Sequence, residues 1–204
     1  MAAIIDILMS MLVGSMLLLN VLNAQDLVGE ISSMGNGDAL VQEMLIIQVQ
    51  FLEGEMRNMG YGVPPGEQVI LAASDSAMTF LMDCDRDGTV DTVSYILGPT
   101  SELAGTPNQM DRYIHRVVNG GVTENVGVVT LLLFRYLSAT GDTLLTPVSA
   151  SDLGRIKEVE ITMEVQNPHA LYRPQGMVMA GQRDALYSTS YWQQTRLASQ
   201  NFRR

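Results

Sequence analysis

From Ile7 to Gln25 the chain carries no charged side chain; the run is Ile, Leu, Met and Val, relieved only by Ser, Asn, Gly, Ala and a terminal Gln. As a helix rising roughly 1.5 Å per residue it extends roughly 28 Å, close to the hydrocarbon thickness of a bilayer. A helix that is apolar all round needs lipid or other apolar helices about its whole circumference. This one segment therefore constrains everything else in the chain. A single acid, Asp6, stands at its start. A carboxylate deep in a membrane costs roughly 2.5 to 3.5 kcal/mol on insertion scales, so it calls for a cation. The first Lys or Arg in the sequence is Arg57, too far along a helix to help. That leaves the α-amino group of Met1, on this chain or on a neighbouring copy. A cleaved signal peptide would open on a basic region, and none precedes the run.

The pattern Ile4-Ile5-Asp6-Ile7-Leu8 resembles the amino terminus of type IV pilins and pseudopilins, in which an apolar helix carries one acid at the fifth mature position. With Ala2 as the first mature residue Asp6 is fifth, and with Met1 retained it is sixth. The family's acid is normally Glu and here is the shorter Asp. The resemblance implies a role in assembly for Asp6 and Met1, the acid of one subunit attracting the terminal amine of another.

Net charge is −10 with an isoelectric point near 4.5, and the acids lie almost entirely beyond residue 25. Nucleic-acid binding would want the opposite sign. Length and run together predict one globular head of about 150 residues behind the helix. Cys84 is the only cysteine, which excludes an internal disulfide and any multi-cysteine metal or haem centre. Many pilins close their carboxy-terminal region with a disulfide, so this head must rely on core packing or on an ion. The 14 Met residues, many of them early in the chain, suit a helix that packs adaptably against copies of itself.

After Asp26 the cluster Gly35-Asn36-Gly37-Asp38 predicts a weakened or interrupted helix, each Gly costing about 1 kcal/mol relative to Ala, with Asp38 capping a renewed one. From 39 to 59 Leu40, Met44, Ile47 and Phe51 keep helical spacing, joined by Val41, Leu45, Leu52, Met56 and Met59. Here the helix is amphipathic and has a head to lie on. Gly60 and Gly62 supply the stop and Pro64-Pro65 forbids continuation. Beyond it the period falls to two, predicting strands at 69–73, 77–82, 89–97, 113–118, 126–137 and 156–165, with a closing strand around 186–192 and loops through the rest of 167–204. The expected class is α+β, a long amino-terminal helix on a mainly antiparallel sheet, divided as 1–25 filament-core helix, 26–60 amphipathic continuation and 61–204 head. The helix tail Glu55 to Gly62, the strands about Asp91-Thr92-Val93-Ser94-Tyr95, and Arg116 running into Asn119-Gly120-Gly121 resemble large minor pilins.

Asp83-Cys84-Asp85-Arg86-Asp87-Gly88-Thr89-Val90-Asp91 has the D-x-D-x-D-G-x-x-D spacing of a calcium loop. Asp83, Asp85, Asp87 and Asp91, with the carbonyl of Thr89, would supply oxygens to Ca²⁺, although Ser94 stands where such loops place a bidentate Glu. The plainer reading is a hairpin with Asp87-Gly88 as a type I′ turn and the acids solvated. His115 and His169 fall in no metal or triad motif, and no nucleophile elbow, phosphate loop or dinucleotide fingerprint occurs. Trp192 and the tyrosines read as core or inter-subunit packing rather than as an adhesive surface. No catalytic site is expected.

The resemblance implies a structural subunit that waits in the cytoplasmic membrane with its head outside and is polymerised by the pilus assembly machinery into an extracellular filament, its partner being itself. Two other readings stand beside this: a secretion-system pseudopilin, and a monomeric membrane-anchored calcium-binding or adhesion module.

Overall fold

A computed structural model describes residues 2–106, 108–166, 190–199 and 201. The first helix, α1, runs unbroken over Ala2–Arg57, 56 residues. The expected interruption at Gly35-Asn36-Gly37 does not occur, and Asp38 lies inside the helix rather than capping a new one. Each residue added to an existing helix contributes a hydrogen bond, and the stretch from Val41 onward is held by packing, so two glycines at about 1 kcal/mol each are absorbed. Nothing approaches the position a Cβ would take at Gly35. Gly60 and Gly62, both at φ +78°, then turn the chain off the helix as expected.

Among the described residues eight strands follow in two antiparallel sheets. β1 (Ile70–Ala73), β2 (Ala77–Met82), β3 (Asp91–Leu97), β4 (Arg112–Val118) and β5 (Thr123–Val129) form a meander in that spatial order. β6 (Leu131–Leu137), β7 (Glu158–Gln166) and β8 (Ser190–Leu197) form the second sheet. The single strand expected over 126–137 is in fact β5 and β6, which part at Thr130 and join different sheets. Apolar residues on both sides of Thr130, Val128-Val129 before it and Leu131 to Phe134 after it, concealed that break. Thr130 is itself tied to the second sheet, its amide donating to the Glu164 carbonyl at 2.9 Å. The closing strand lies further on than expected, at Ser190–Leu197; residues 186–189 and His169 lie outside the described residues.

The period-two reading identifies the buried faces. Met78, Phe80 and Met82 of β2, Val93 and Tyr95 of β3, and Val159, Ile161, Met163 and Val165 of β7 point into one core. Phe80 and Tyr95 stack within it, ring centroids 6.3 Å apart. The helix contributes Val41, Leu45, Val49, Leu52 and Met56, positions three and four apart that fall on one stripe. A side chain at Gly127 of β5 would meet the Gln48 side chain of the helix at 2.4 Å and force it to move. Gln48 Nε2 in turn donates to the Val128 carbonyl at 3.3 Å.

An ion cluster fastens helix to sheet. Arg116 of β4 grips Glu55 of α1 with two hydrogen bonds, Nη2 to Oε1 at 2.7 Å and Nε to Oε2 at 3.1 Å, and reaches Glu124 through Nη1 at 2.9 Å. The Tyr95 hydroxyl donates to the same Glu55 carboxylate. Burial, then the Glu55 charge, push the Tyr95 phenol well above its ordinary range. Burial alone would lower the Arg116 guanidinium, but its bonds to Glu55 outweigh that and raise it. The helix end is closed by the far end of the chain. Ser199 Oγ donates to the Met59 carbonyl at 2.6 Å and Asn201 Nδ2 to the same oxygen at 3.0 Å, satisfying a carbonyl left open by the helix terminus.

Asp111, just before β4, is buried. Burial raises its carboxyl, and a hydrogen bond with Thr106 offsets this only in part. With the folded-state value raised, its contribution to stability is fully present below the ordinary carboxylate range and is lost as pH rises through the raised value. Asp111→Asn is expected to raise the melting temperature at neutral pH by about 2 to 4 °C, the shift corresponding to roughly 1 kcal/mol in a chain of this size. Melts of both proteins should converge as pH falls into the carboxylate range; a gap that persists there would mean that the charge is not the cause.

Candidate functional site

Two regions combine chemistry with placement. The first is the amino-terminal half of α1. The segment Ile4–Gly29 is 26 residues long with mean hydropathy 2.1, long and apolar enough to cross a membrane, and none of its hydropathic window is buried against the rest of the chain. The change comes at Val41, which is 1% exposed, whereas Leu17, Leu18 and Leu19 are each 60% exposed. The helix thus has two regimes on one continuous rod: bare apolar surface first, then a single stripe docked on the sheets. Asp6 lies on the bare half, solvent-exposed, and among the described residues no cation pairs with its carboxylate. Its backbone carbonyl accepts from Ser10 Oγ at 2.7 Å, an ordinary bond within the helix. Met1 lies outside the described residues. Arg57 is spent locally on Glu53 at 3.3 Å.

The second region is the loop 83–90 between β2 and β3. Met82 pairs with Asp91, so the connection is a loop of several residues rather than a two-residue hairpin. The positive φ values fall on Arg86 and Gly88 and not on Asp87, which excludes the type I′ turn at Asp87-Gly88. Asp83, Asp85 and Asp91 are brought together, each offering a carboxylate oxygen within 4.8 Å of the others. Asp87 is not in this group. The Asp87 carboxylate instead accepts from the Thr89 amide at 2.7 Å and from the Thr89 hydroxyl, and the hydroxyl bond holds its carboxyl below the usual range.

Each gathered acid is oriented by donors. Asp83 Oδ2 accepts from the Gly88 amide at 3.1 Å, and Asp85 Oδ1 from the Asp87 amide at 3.1 Å. Asp91 Oδ2 accepts from the Cys84 thiol at 3.0 Å and amide at 3.1 Å, and its Oδ1 from Asn119 Nδ2 at 2.6 Å. Those bonds, the thiol's first, hold the Asp91 carboxyl below the usual range. Burial and the neighbouring Asp91 push the Cys84 thiol up to about 11, so it stays protonated at neutral pH and is neither a nucleophile nor a soft ligand. Asn119 begins the Asn-Gly-Gly turn after β4 and also binds the Thr92 amide at 2.8 Å, a positioning role that its turn-forming sequence did not advertise. His115 is engaged by Glu102 at 2.7 Å and Asn125 at 2.8 Å on the half-buried flank of β4. Trp192 is exposed on β8 rather than packed in the core.

No protein-family model, curated protein or solved structure matches the chain. What the fold defines is an α+β protein with an exposed, membrane-length apolar amino-terminal helix followed by antiparallel sheets.

Proposed function

We propose that the chain is a structural subunit that polymerises through its amino-terminal helix into an extracellular, type IV pilus-like filament, resting in the cytoplasmic membrane before assembly. The observation that carries this reading is the bare apolar half of α1, whose side chains find no cover among the described residues. Lipid covers such a surface before assembly; like helices cover it afterwards, with burial contributing about 25 cal/mol per Å². Asp6 adds direction. An unpaired acid near the start of an apolar rod is stabilised when a neighbour's terminal amine arrives beside it, which sets the stagger between copies. The head's acidic surface keeps it in water.

Electron microscopy of the full chain after detergent removal tests the reading, with fibres expected. Asp6→Ala is expected to abolish or sharply slow fibre growth while the head melts as before. Fibres from Asp6→Ala at the parent rate would remove the acid from the mechanism, and a chain that stays monomeric once detergent is withdrawn would replace the filament with a simple membrane anchor.

A further inference from the structure

We propose that the loop between β2 and β3 binds one calcium ion through Asp83, Asp85 and Asp91, and that the ion braces the joint between the long helix and the head. Calcium holds its oxygens at about 2.3 to 2.6 Å, so ligands on opposite sides of it stand roughly 4.6 to 5.2 Å apart. Three carboxylate oxygens within 4.8 Å of one another are within reach of one such ion. Proximity of acids alone would not carry this, since exposed acids cluster without ions. The second observation is Asp83 itself. It is 6% exposed, and its Oδ1 is sealed from solvent with no hydrogen-bond partner among the described residues, the Gly88 amide having taken only Oδ2. An anionic oxygen shut away from water and given no donor is costly unless a cation stands against it.

The surrounding bonds fit a ligand set. Donors from Cys84 and Asn119 fix the Asp91 carboxylate in place, as outer partners do for metal-binding carboxylates. The donor atoms of the gathered acids are all oxygen, which selects a hard cation. Magnesium holds its oxygens at about 2.0 to 2.1 Å in a strict octahedron and sheds water reluctantly, so a loosely spaced carboxylate trio favours calcium.

The loop is also built into the helix exit. The Asp83 amide donates to the Tyr61 carbonyl at 2.9 Å, and the Gly60 amide to the Leu81 carbonyl at 2.8 Å. A Cβ at Gly62 would lie 2.8 Å from the Asp83 Cβ, so the turn that ends α1 rests directly on the first ligand. Neutralising the acids relieves their mutual repulsion at that point.

The test uses the full chain in detergent, stripped with chelator and titrated with CaCl₂ to about 10 mM, read by calorimetry and by melting. For an affinity in the range of extracellular calcium modules, saturation is expected to raise the melting temperature by about 3 to 10 °C. Asp85→Asn is the decisive variant, because Asp85 is exposed and holds only the Asp87 amide, so the chain folds and the shift is lost. Asp87→Asn keeps the shift, since that acid is spent on Thr89. Absence of both heat and shift in the parent, a full shift in Asp85→Asn, or an equal response to magnesium would each overturn the proposal. Loss of the shift in Asp87→Asn would overturn the ligand set.

Discussion

Replacing Arg116 by Met will destabilise the head by about 1 to 3 kcal/mol, the penalty for stranding a hydrogen-bonded group in a partly buried site and below the range for a fully buried ion pair. The Glu55 side chain is 17% exposed and accepts from the Tyr95 hydroxyl and Arg116, so without Arg116 its charge loses its cationic partner. Three consequences separate this from simple loss of packing. The double variant Glu55→Gln with Arg116→Met should recover most of the stability, because a neutral amide still accepts from Tyr95 and no orphaned charge remains. Glu124→Gln should cost little, since its carboxylate is largely exposed and exposed pairs contribute about 0 to 1 kcal/mol. The loss should also loosen the helix from the sheet, seen as faster amide exchange along 41–56. Urea melts of the single and double variants decide it: a double variant no better than Arg116→Met alone would mean that the guanidinium acts through packing.

Leu17→Arg, by contrast, is expected to leave the head untouched and eliminate fibres. Leu17 is 60% exposed on the part of α1 that no described residue buries, so the melting temperature of the head should not move. Each copy would nevertheless bring a charge into a surface that lipid or neighbouring helices must cover, costing roughly 2.5 to 3.5 kcal/mol at the centre of a bilayer. In a helical array that cost recurs with every subunit added. Membrane fractionation and electron microscopy read the two halves of the effect. Fibres in parental yield would show that the bare half of the helix is not the assembly surface. A shifted head melt would show that this segment folds back on the head.

The features legible in the sequence were those with a strong period or a strong composition. The apolar run and the stripe through Val41, Leu45, Leu52 and Met56 are periodic over many turns, and β2 occupies the span expected for it. Local chemistry misled where tertiary context overrode it. Gly35 and Gly37 signalled a break, yet a helix already propagating on both sides ran through them. The mostly apolar stretch from Val126 to Leu137, interrupted by Thr130 and Arg135, hid the switch between sheets, because both halves bury residues and only a pairing partner distinguishes them.

The acid loop divides in the same way. Spacing brought Asp83, Asp85, Asp87 and Asp91 to attention, but a local bond to Thr89 withdrew Asp87, a competition that spacing cannot rank. The Glu55 and Arg116 clamp was readable in principle. Arg116 shares its strand face with the buried Ile114, and a cation on an inward face demands an acid. Which acid it found depends on how the helix crosses the sheet. Ser199 and Asn201 offered no such signal, being polar residues near the end of the chain.

Those last contacts alter how the molecule bears force. The exit from the rod is held at Gly60 by Leu81 and at Met59 by Ser199 and Asn201, strands from opposite ends of the head meeting at one junction. Tension applied along the rod is therefore divided between two distant stretches of polypeptide and loads their bonds side by side, so that rupture requires several to fail together instead of peeling one after another.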